Sequence, residues 1–502
     1  MTRLWAGAAV CALTAIAAPR SQTSAPGKVQ FERLCARCHG ADARGGEMGP
    51  GIVSRLALRT DDELAALVRD GLPAKGMPGH ALPDADLRAL VAFTRTLRPG
   101  RGDAPARLSV TMADGSAVHG VALNRTATDA QVLADGGDLH LLRKAGDTWR
   151  RVTSQADWPT YHGDRGGNRY SPVDQINRAT VAHLAPAWVF PLPGASSLQV
   201  TPVVVEGVMY VTNANECYAL DAGSGRRIWH YQRPRTKGLA GDAASGINRG
   251  VAVDGDRVFM VTDHAHLLAL NRFTGDLVWE TPMADWRQNY GATSAPLVVG
   301  NLVVSGISGG DEGVRGFLAA FDRGTGKEVW RFWTVPRAGE PGSETWRGSA
   351  IAHGCAATWL TGTWDAERQT LYWPTGNPCP DYDGTERQGD NLYSDSILAL
   401  DPATGRLKWH FQYTPHDLWD WDAQQPPVLV DTTWEGRPRQ LLLHANRNGF
   451  FYVLDRTSGA LLLAKPFVKK LTWARGIGAD GRPMLNPDQT PTADGRTVCP
   501  AV

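Results

Sequence analysis

Residues 396–422 read SILALDPATGRLKWHFQYTPHDLWDWD, and this stretch decides the fold. Its first half, residues 399–409, combines an apolar strand, an Asp-x-x-x-Gly turn and a second strand that ends in Trp. Glycine adopts the positive φ of a tight turn without steric cost, so the pattern predicts a β-hairpin. The second half places Asp417, Asp420 and Asp422 close together beside two tryptophans, and we expect the chemistry there.

The hairpin recurs along the chain. Good copies stand at residues 219–229 (ALDAGSGRRIW), 269–279 (ALNRFTGDLVW) and 320–330 (AFDRGTGKEVW). A decayed copy follows at residues 453–463, and Trp188 marks the end of an earlier, degenerate copy. A strand-turn-strand repeat with a period of about fifty residues predicts a β-propeller, in which each Trp packs one four-stranded sheet against the next.

Composition limits the possible functions. The chain has 502 residues, enough for more than one domain, and its 55 Gly, 32 Pro and 18 Trp suit a turn-rich β protein. A formal net charge of +1 gives no support to a nucleic-acid partner. Arg3 and the apolar run to Ala18 predict a signal peptide over residues 1–18, and hence a periplasmic protein; the run is short for the alternative, a membrane anchor. No second apolar run is long enough to span a membrane, so we expect no transmembrane segment.

Residues 27–99 contain Cys35-Ala-Arg-Cys38-His39, the attachment motif for c-type haem. The two thiols match the two vinyl groups of haem, and His39 is the predicted iron ligand. A zinc or redox Cys-x-x-Cys site is the alternative, but no second Cys or His pair completes a zinc site. The segment resembles class I cytochrome c domains over its whole length.

A second iron ligand is expected beyond this motif. Met77 lies in a Gly/Pro loop before a helix and is the predicted ligand, with Met48 and His80 as its rivals. The flanking helices are expected to begin at the N-caps Thr60 and Asp84. The second helix carries a face at helical spacing that is predicted to pack on the haem, formed by Leu87, Leu90, Val91, Thr94 and Leu97.

Residues 107–152 follow a linker rich in Gly, Pro and Arg. Short strand-like runs separated by Asp-Gly or Gly-Gly turns predict a small antiparallel β module. We assign it no chemistry and interpret it as a spacer between the haem domain and the propeller.

Beyond residue 157 a series of short motifs follows. They are Asn248-Arg249-Gly250, Thr293-Ser-Ala-Pro296, Ser308-Gly309-Gly310-Asp311, Ala-Thr-Trp359, Gly376-Asn377-Pro378, Trp419-Asp420-Trp421-Asp422 and Asn446-Arg447-Asn448-Gly449. In content and order these motifs resemble the PQQ-dependent alcohol dehydrogenases, specifically the quinohaemoproteins that carry their own cytochrome. The resemblance implies an eight-bladed β-propeller over residues 157–502. We expect it to be incomplete through a C-terminal truncation, because only six repeat ends are visible before the chain stops at Val502.

Hydride abstraction from an alcohol by a quinone needs a metal, a base, cations for the quinone carboxylates and a flat surface for its ring. The resemblance implies that Arg249 pairs with a PQQ carboxylate and that Trp359 lies against the tricyclic ring. An inter-blade anchor is the alternative for Trp359, but this residue stands outside the repeat register. The resemblance further implies that Arg447 hydrogen-bonds a quinone oxygen. The residues implied to hydrogen-bond the cofactor rim are Thr293, Ser308, Gly309 and Gly310.

The implied metal site contains Asp311, Asn377 and a carboxylate from Asp420 and Asp422. Oxygen ligands of this kind suit a hard cation such as Ca²⁺. Asp420 matches the catalytic base of the family. Asp422 resembles the added acidic ligand of lanthanide-dependent members, which makes a lanthanide the alternative metal. Asp311 stands where the family generally has Glu.

Two departures from the family bear on the cofactor site. Ala243-Ala244 replaces the adjacent cysteines of many alcohol-oxidising members, and Gln199 replaces a Glu beside the cofactor. These differences leave the substrate range open. Cys355 and Cys379 could form a disulfide near the cofactor in an oxidising compartment, although the sequence does not settle the pairing.

The leading hypothesis is a periplasmic quinohaemoprotein dehydrogenase that oxidises a small alcohol through metal-bound PQQ. Electrons would leave through the covalently attached haem c to a periplasmic acceptor, either a cytochrome or the quinone pool. The alternatives are a PQQ-dependent sugar or polymer dehydrogenase and a non-catalytic PQQ-repeat scaffold. Such scaffolds share the Trp repeat, but they carry no cytochrome and lack Arg249, Trp359, Asn377 and Asp420 as a set.

Overall fold

The computed structural model describes residues 26–39, 43, 51–56, 59–73, 77–97, 107–125, 129–151, 157–195 and 197–500. The chain forms two compact units, Met1–Arg98 and Pro99–Val502. The predicted signal peptide and Met48 lie outside the described residues. No helix in the described part of the chain is long and apolar enough to cross a membrane.

The first unit is helical. Its helices are α1 (Pro26–Leu34), α2 (Ala36–His39), α3 (Val53–Leu56), α4 (Asp61–Asp70) and α5 (Asp84–Thr96). The N-cap predicted at Thr60 is confirmed: its hydroxyl accepts a hydrogen bond from the Glu63 amide, and the Glu63 carboxylate accepts one from the Thr60 amide. The N-cap predicted at Asp84 is wrong. Pro83 precedes α5 without a side-chain cap, and Asp84 lies inside the first turn, where its charge suits the positive end of the helix dipole.

The predicted apolar face of α5 is buried at Leu87, Leu90, Val91 and Thr94. Leu90 packs in a core with Phe31 of α1, while Val91 packs in a second core with residues of α3 and α4. The face therefore contacts protein groups of its own unit along most of its length.

The second unit begins with a five-stranded antiparallel sheet in sequential order. Its strands are β1 (Arg107–Thr111), β2 (Ala117–Arg125), β3 (Asp129–Ala134), β4 (Leu139–Ala145) and β5 (Thr148–Arg151). Leu141 of this sheet is buried in a core that it shares with Val203 and Trp229. The module is thus packed into the second unit rather than held apart as a spacer.

Five four-stranded antiparallel sheets follow, which we call blades 1 to 5. Blade 1 contains β6 (Val203–Val205), β7 (Val208–Asn213), β8 (Glu216–Asp221) and β9 (Arg227–Gln232). After the short helix α6 (Gly241–Ser245), blade 2 contains β10 (Ala252–Asp254), β11 (Arg257–Val261), β12 (His266–Asn271) and β13 (Leu277–Pro282). Blade 3 contains β14 (Leu297–Val299), β15 (Leu302–Gly306), β16 (Phe317–Asp322) and β17 (Glu328–Trp333).

The remaining strands have the same order. Blade 4 contains β18 (Thr363–Asp365), β19 (Thr370–Pro374), β20 (Ser396–Leu400) and β21 (Leu407–Gln412). Blade 5 contains β22 (Val428–Trp434), β23 (Arg437–Ala445), β24 (Phe450–Asp455) and β25 (Ala460–Pro466), and a two-stranded sheet of β26 (Ala474–Ile477) and β27 (Pro483–Leu485) follows it. The predicted propeller class, mainly β after a small helical domain, is confirmed.

The repeat tryptophans join neighbouring blades. The indole N–H of Trp229 donates to the carbonyl of Arg272 in the turn of the next blade at 2.8 Å, and Trp279 donates to Arg323 in the same way at 3.1 Å. Trp188 makes the equivalent bond to Ala222 at 3.0 Å. No four-stranded sheet precedes that tryptophan in residues 157–195, so the degenerate copy keeps the docking contact without the blade.

A buried ion pair joins blades 4 and 5. The Arg456 guanidinium contacts Asp365 at 2.8 Å and also pairs with Asp431, and the side chains of Arg456 and Asp365 are 6% and 5% exposed. Replacing Arg456 by Leu leaves the Asp365 carboxylate buried without its cation. We expect the free energy of unfolding, measured by urea denaturation followed by tryptophan fluorescence, to fall by about 3–5 kcal/mol.

The matched control is Arg482→Leu, which removes the solvent-exposed pair between Arg482 and Asp390. Exposed pairs contribute roughly 0–1 kcal/mol, so this variant should unfold almost as the unaltered protein does. Equal, small losses in the two variants would show that the buried pair does not hold the blades together.

Candidate active site

The predicted site residues lie in loops at one end of the propeller. Asp311, Asn377 and Arg447 each lie in the connection between the second and third strands of blades 3, 4 and 5. Arg249 and Asp420 lie in connections from the last strand of one blade to the first strand of the next. In an antiparallel four-stranded blade these two kinds of connection emerge at the same end. This is why motifs far apart in sequence converge.

Asp422 is the centre of the converging set. Its Oδ1 accepts a hydrogen bond from the Asn377 backbone N–H at 3.2 Å, and its Oδ2 contacts the Arg447 guanidinium at 3.0 Å. The Trp359 side chain also lies beside Asp422 and lowers the pKa of its carboxyl group. Three other residues chosen from the sequence, Asn377, Arg447 and Trp359, therefore lie around the buried Asp422 carboxylate. Arg447, predicted as a partner of a quinone oxygen, pairs here with Asp422.

Asp420 and Asp422 are presented by a backbone with positive φ, +60° and +46° respectively. Non-glycine residues adopt this region at a cost and need support from their surroundings. The buried carboxylate of Asp417 gives that support, because it accepts the backbone N–H groups of Trp419 at 2.8 Å and of Trp421 at 2.7 Å. Asp417 thus positions the loop rather than facing the reacting groups.

Two residues that the sequence interpretation missed hold the neighbouring loop. The Asn377 side-chain amide donates to the Asp381 carboxylate at 2.7 Å, which commits the amide nitrogen and leaves the amide oxygen for another partner. The fully buried Arg387 donates to the carbonyls of Pro380, Asp381 and Asp417 at 2.8, 2.9 and 2.6 Å. Asp381 and Arg387 lie outside any motif that the sequence analysis recognised. Their roles depend on loop packing, which the spacing of residues in the sequence does not indicate.

The four predicted oxygen donors fit a hard cation. Burial and the charge of Asp422 raise the pKa of Asp420 to about 8. Burial raises the pKa of Asp422 to about 6, and burial together with the charge of Asp242 raises the pKa of Asp311. These carboxyl groups disfavour their ionised forms chiefly because they are buried, and crowding by neighbouring carboxylates adds to the effect. A multivalent cation bound to carboxylate and amide oxygens would relieve that crowding.

The residues beside this cluster fit an anionic, planar cofactor. Arg249 is 5% exposed, donates to the Thr293 hydroxyl at 2.5 Å and lies 4.6 Å from the Trp359 ring centre. Among the described residues no carboxylate forms an ion pair with Arg249, and the buried Ser308 hydroxyl has no hydrogen-bond partner. Buried polar groups are normally paired. The two therefore have unused capacity for cofactor carboxylates and oxygens.

Gly309 allows a close approach at the same place. Its φ is +105°, and a Cβ atom there would lie 2.3 Å from the Asn289 carbonyl oxygen. Gly310, next in the chain, lies against the Cys355–Cys379 disulfide, whose Cα atoms are 5.3 Å apart. The structure forms the disulfide that the sequence left open, and this bond ties the segment before Trp359 to the loop that carries Asn377.

In the helical unit the haem motif is compact. The amides of Cys38 and His39 both donate to the Cys35 carbonyl, at 3.1 and 2.9 Å, so the two cysteines and the histidine share one helical turn. Burial and the charge of Cys38 raise the pKa of the Cys35 thiol to about 11. Met77 is held by paired backbone hydrogen bonds with Leu72 at 2.8 and 3.2 Å. The assignment of His39 and Met77 to the iron stays a prediction.

The raised carboxyl pKa values give a pH-dependent effect of metal. Unfolded Asp titrates near about pH 4, whereas folded Asp420 titrates near pH 8, so the metal-free folded state holds the extra proton between these values. Its stability must fall as the pH rises through this window. A bound cation removes this loss of stability, because it favours the ionised carboxylates. We expect excess Ca²⁺ to raise the melting temperature more at about pH 8 than at about pH 5, by about 3 °C or more.

Differential scanning calorimetry of the haem-loaded protein in EDTA or Ca²⁺ measures this difference. The double variant Asp420→Asn/Asp422→Asn should lose this difference in the Ca²⁺ effect between the two pH values, because neither side chain can then titrate. An equal Ca²⁺ effect at the two pH values in the unaltered protein would contradict the crowded-carboxylate account.

Comparison with known protein families finds two matches along the chain. Residues 158–465 match the family described as "Glucose/ethanol/alcohol dehydrogenase, beta-propeller domain". Residues 22–93 match the family described as "Cytochrome C oxidase, cbb3-type, subunit III".

Individual relatives agree with the first match. The chain is 39% identical over 349 residues to the quinoprotein alcohol dehydrogenase PedH of Pseudomonas putida, an alignment that covers 66% of this chain and 58% of that protein. It is 39% identical over 350 residues to the quinohemoprotein alcohol dehydrogenase of Comamonas testosteroni, covering 65% and 49% of the two chains. The chain spans about half the length of the curated relatives it matches.

Solved structures give the same result. The crystal structure of the Comamonas testosteroni enzyme superposes with a TM-score of 0.62 at 37% identity and covers 68% of this chain and 53% of its own. A europium-containing methanol dehydrogenase superposes with a TM-score of 0.65 at 31% identity and covers 70% of this chain and 65% of its own.

Proposed function

Because the chain belongs to the glucose/ethanol/alcohol dehydrogenase β-propeller family, we propose that it is a quinohaemoprotein dehydrogenase that oxidises a small alcohol. Its cofactors are PQQ, a hard cation and a covalent haem c. The observation that carries the proposal is the buried Arg249, which has no carboxylate partner among the described residues, beside Trp359 and Ser308 and next to the crowded carboxylates of Asp420 and Asp422. A non-catalytic scaffold has no use for either feature.

Each residue has a separate task. When bound, PQQ supplies the two-electron acceptor carbonyl and the cation polarises it. Arg249 binds a cofactor carboxylate, and Trp359 orients the ring by contact with its face. Asp420 accepts the alcohol hydroxyl proton on a carboxylate oxygen once a cation beside it has favoured its ionised form. Arg447 keeps Asp422 ionised and in place through their contact at 3.0 Å.

The remaining residues of the site contact the metal or the cofactor in this proposal. Asp311, Asn377 and Asp422 hold the cation together with Asp420. Thr293 orients the Arg249 guanidinium, since its hydroxyl accepts a hydrogen bond from it at 2.5 Å. Ser308, Gly309 and Gly310 line the rim, where the hydroxyl of Ser308 is unpaired and the glycines leave room.

The helical unit would carry electrons away singly. Cys35 and Cys38 would attach the haem through thioether bonds, and His39 and Met77 would hold its iron. The signal-peptide pattern of residues 1–18 supports export to the periplasm. There the acceptor would be a soluble cytochrome or the quinone pool.

Cofactor binding tests the proposal directly. PQQ titrated into the haem-loaded, Ca²⁺-supplied protein should bind in one equivalent and quench tryptophan fluorescence. Arg249→Met should weaken this binding by about tenfold or more, because a buried charge-assisted contact contributes about 1.5–3 kcal/mol. Arg287→Met is the matched control, since that arginine lies 4.8 Å from the Trp286 ring on the exposed surface. Absence of PQQ binding would reject the dehydrogenase in favour of a scaffold.

The substrate follows from rates with a panel of compounds. Short primary alcohols should be oxidised faster by the PQQ-loaded, full-length protein than aldehydes or sugars. A clear preference for sugars or their polymers would keep the cofactor assignment and replace the alcohol assignment.

We further propose that the metal site prefers a trivalent lanthanide to Ca²⁺. The additional carboxylate of Asp422 increases the negative charge at the site, and charge count tunes affinity in such sites. La³⁺ should bind the metal-free protein at least about tenfold more tightly than Ca²⁺, and Asp422→Ala should remove most of that preference. Competition titration measures both, with the exposed Asp383→Ala as control. Equal affinity of the unaltered protein for the two ions would contradict it.

A further inference from the structure

A second cluster of metal-binding side chains lies in blade 2, outside the site described above. His264 lies in the turn between β11 and β12, His266 begins β12, and Glu280 lies on the neighbouring strand β13. The backbone of Ala265 between the histidines has φ +60°, and the Thr262 amide donates to the His266 carbonyl at 2.9 Å. This tight turn brings the two imidazole rings to 4.0 Å between centres.

The three side chains converge. His266 Nδ1 lies 2.6 Å from Glu280 Oε1, and His264 Nε2 lies 4.0 Å from the same oxygen. One ligand atom from each residue lies within 4.8 Å of the others. Zinc takes nitrogen and oxygen ligands at about 2.0–2.2 Å, which separates the donors from one another by roughly 3–4 Å. Small side-chain rotations therefore suffice to form a site.

Asp263 prepares His264 for such a role. Its buried carboxylate contacts His264 Nδ1 at 3.1 Å, which assigns the proton to Nδ1 and leaves Nε2 with a lone pair directed at the cluster. Arg235 fixes that carboxylate through a contact of 2.8 Å, and the Thr236 amide donates to it at 3.0 Å. A carboxylate behind a ligating histidine is the usual arrangement around protein-bound zinc.

The Glu280 carboxylate has an oxygen available for a cation. Its Oε1 lies 2.6 Å from His266 Nδ1. Arg233 contacts Oε1 at 2.6 Å, and no described residue hydrogen-bonds to Oε2. The second carboxylate oxygen is thus available. Arg233 pairs with Glu280 and Arg235 pairs with Asp263, so the two carboxylates offset the two guanidinium charges beside the site.

A pocket of about 460 Å³ opens beside the histidines. Met283, Asp285, Trp286 and Arg287 complete its wall. It leaves room for water or a small anionic ligand as the fourth partner of an ion held by three protein groups, as in open zinc sites.

We propose that His264, His266 and Glu280 bind a late first-row divalent cation such as Zn²⁺. Imidazole with one carboxylate selects Zn²⁺, Cu²⁺ or Ni²⁺, whereas Ca²⁺ and Mg²⁺ prefer all-oxygen sites. The site is independent of the proposed alcohol oxidation.

Zinc titration of the haem-loaded, tag-free protein tests the proposal. Excess Ca²⁺ is present throughout to occupy the carboxylate site. Isothermal titration calorimetry should detect one Zn²⁺ per chain that the double variant His264→Gln/His266→Gln binds about tenfold more weakly or worse. The control His183→Gln removes an exposed histidine of the same unit and should bind as the unaltered protein does. Equal Zn²⁺ binding by the double variant overturns the proposal.

Two further measurements do not depend on that variant folding. Co²⁺ added to the unaltered protein should give the visible ligand-field absorption of a nitrogen- and oxygen-ligated ion, and excess Zn²⁺ should abolish it. Zn²⁺ should also protect His264 and His266, but not His183, from diethyl pyrocarbonate. Unprotected histidines or a featureless cobalt spectrum would overturn the site.

Discussion

Replacing Asp420 by Asn is expected to lower kcat for alcohol oxidation by about 10²–10⁴-fold. Asn keeps the size of the side chain but cannot accept the hydroxyl proton. Its neighbours Asp422 and Trp359 stay in place, since neither takes its position from the Asp420 carboxylate. Steady-state rates with an artificial electron acceptor measure the chemical step without the haem.

Asp383→Asn is the control for this variant. Asp383 is exposed in the same part of the second unit and should be replaceable without effect on kcat. Because Asp420 is also a proposed metal ligand, metal content is measured for each variant, and rates are compared at saturating metal. An Asp420→Asn enzyme within about threefold of the unaltered rate would remove Asp420 from the role of base.

Replacing Arg387 by Met is the second change with a large expected effect. The fully buried guanidinium donates to three carbonyls, those of Pro380, Asp381 and Asp417, and to the Asn391 side chain. Met fills the space and supplies no donor. Each buried acceptor left unpaired costs about 1–3 kcal/mol, so the free energy of unfolding should fall by about 3 kcal/mol or more.

The same substitution should weaken metal binding. Arg387 joins the loop of Asn377 and Asp381 to the loop of Asp417 and Asp420, so its loss frees the two loops from each other. Urea denaturation and Ca²⁺ titration measure the two effects. The exposed Arg347→Met should change neither. Unchanged metal affinity in Arg387→Met would mean that the loops hold their positions without this bridge.

The fold was predictable because its signal is periodic. An Asp-x-x-x-Gly turn followed by Trp predicts a complete hairpin and also its packing on the next blade. The hydrogen bond from the Trp229 indole to the Arg272 carbonyl illustrates this packing. Trp188 was harder to interpret. A single anchor indicates the neighbouring blade that it packs against, but it does not indicate whether its own strands form a sheet.

The sequence predicted which motif residues belong to the site, but it did not predict the hydrogen bonds that hold their loops in place. Residues such as Asn377 and Asp422 can be recognised because each stands in a short sequence motif. The contacts of Asp381 and Arg387 arise from the path of an irregular loop, which hydrophobic periodicity does not describe. The misplaced cap at Asp84 has a similar cause, because Pro83 fixes the backbone one residue before the expected start.

Alcohol-driven haem reduction tests the central claim most directly. The full-length, haem-loaded protein is supplied with PQQ and with Ca²⁺ or La³⁺, and its haem spectrum is followed after a short primary alcohol is added. The account predicts rapid appearance of the reduced haem bands, which Asp420→Asn slows by about 10²–10⁴-fold. A haem that stays oxidised with alcohols, although PQQ and metal are bound, would contradict it.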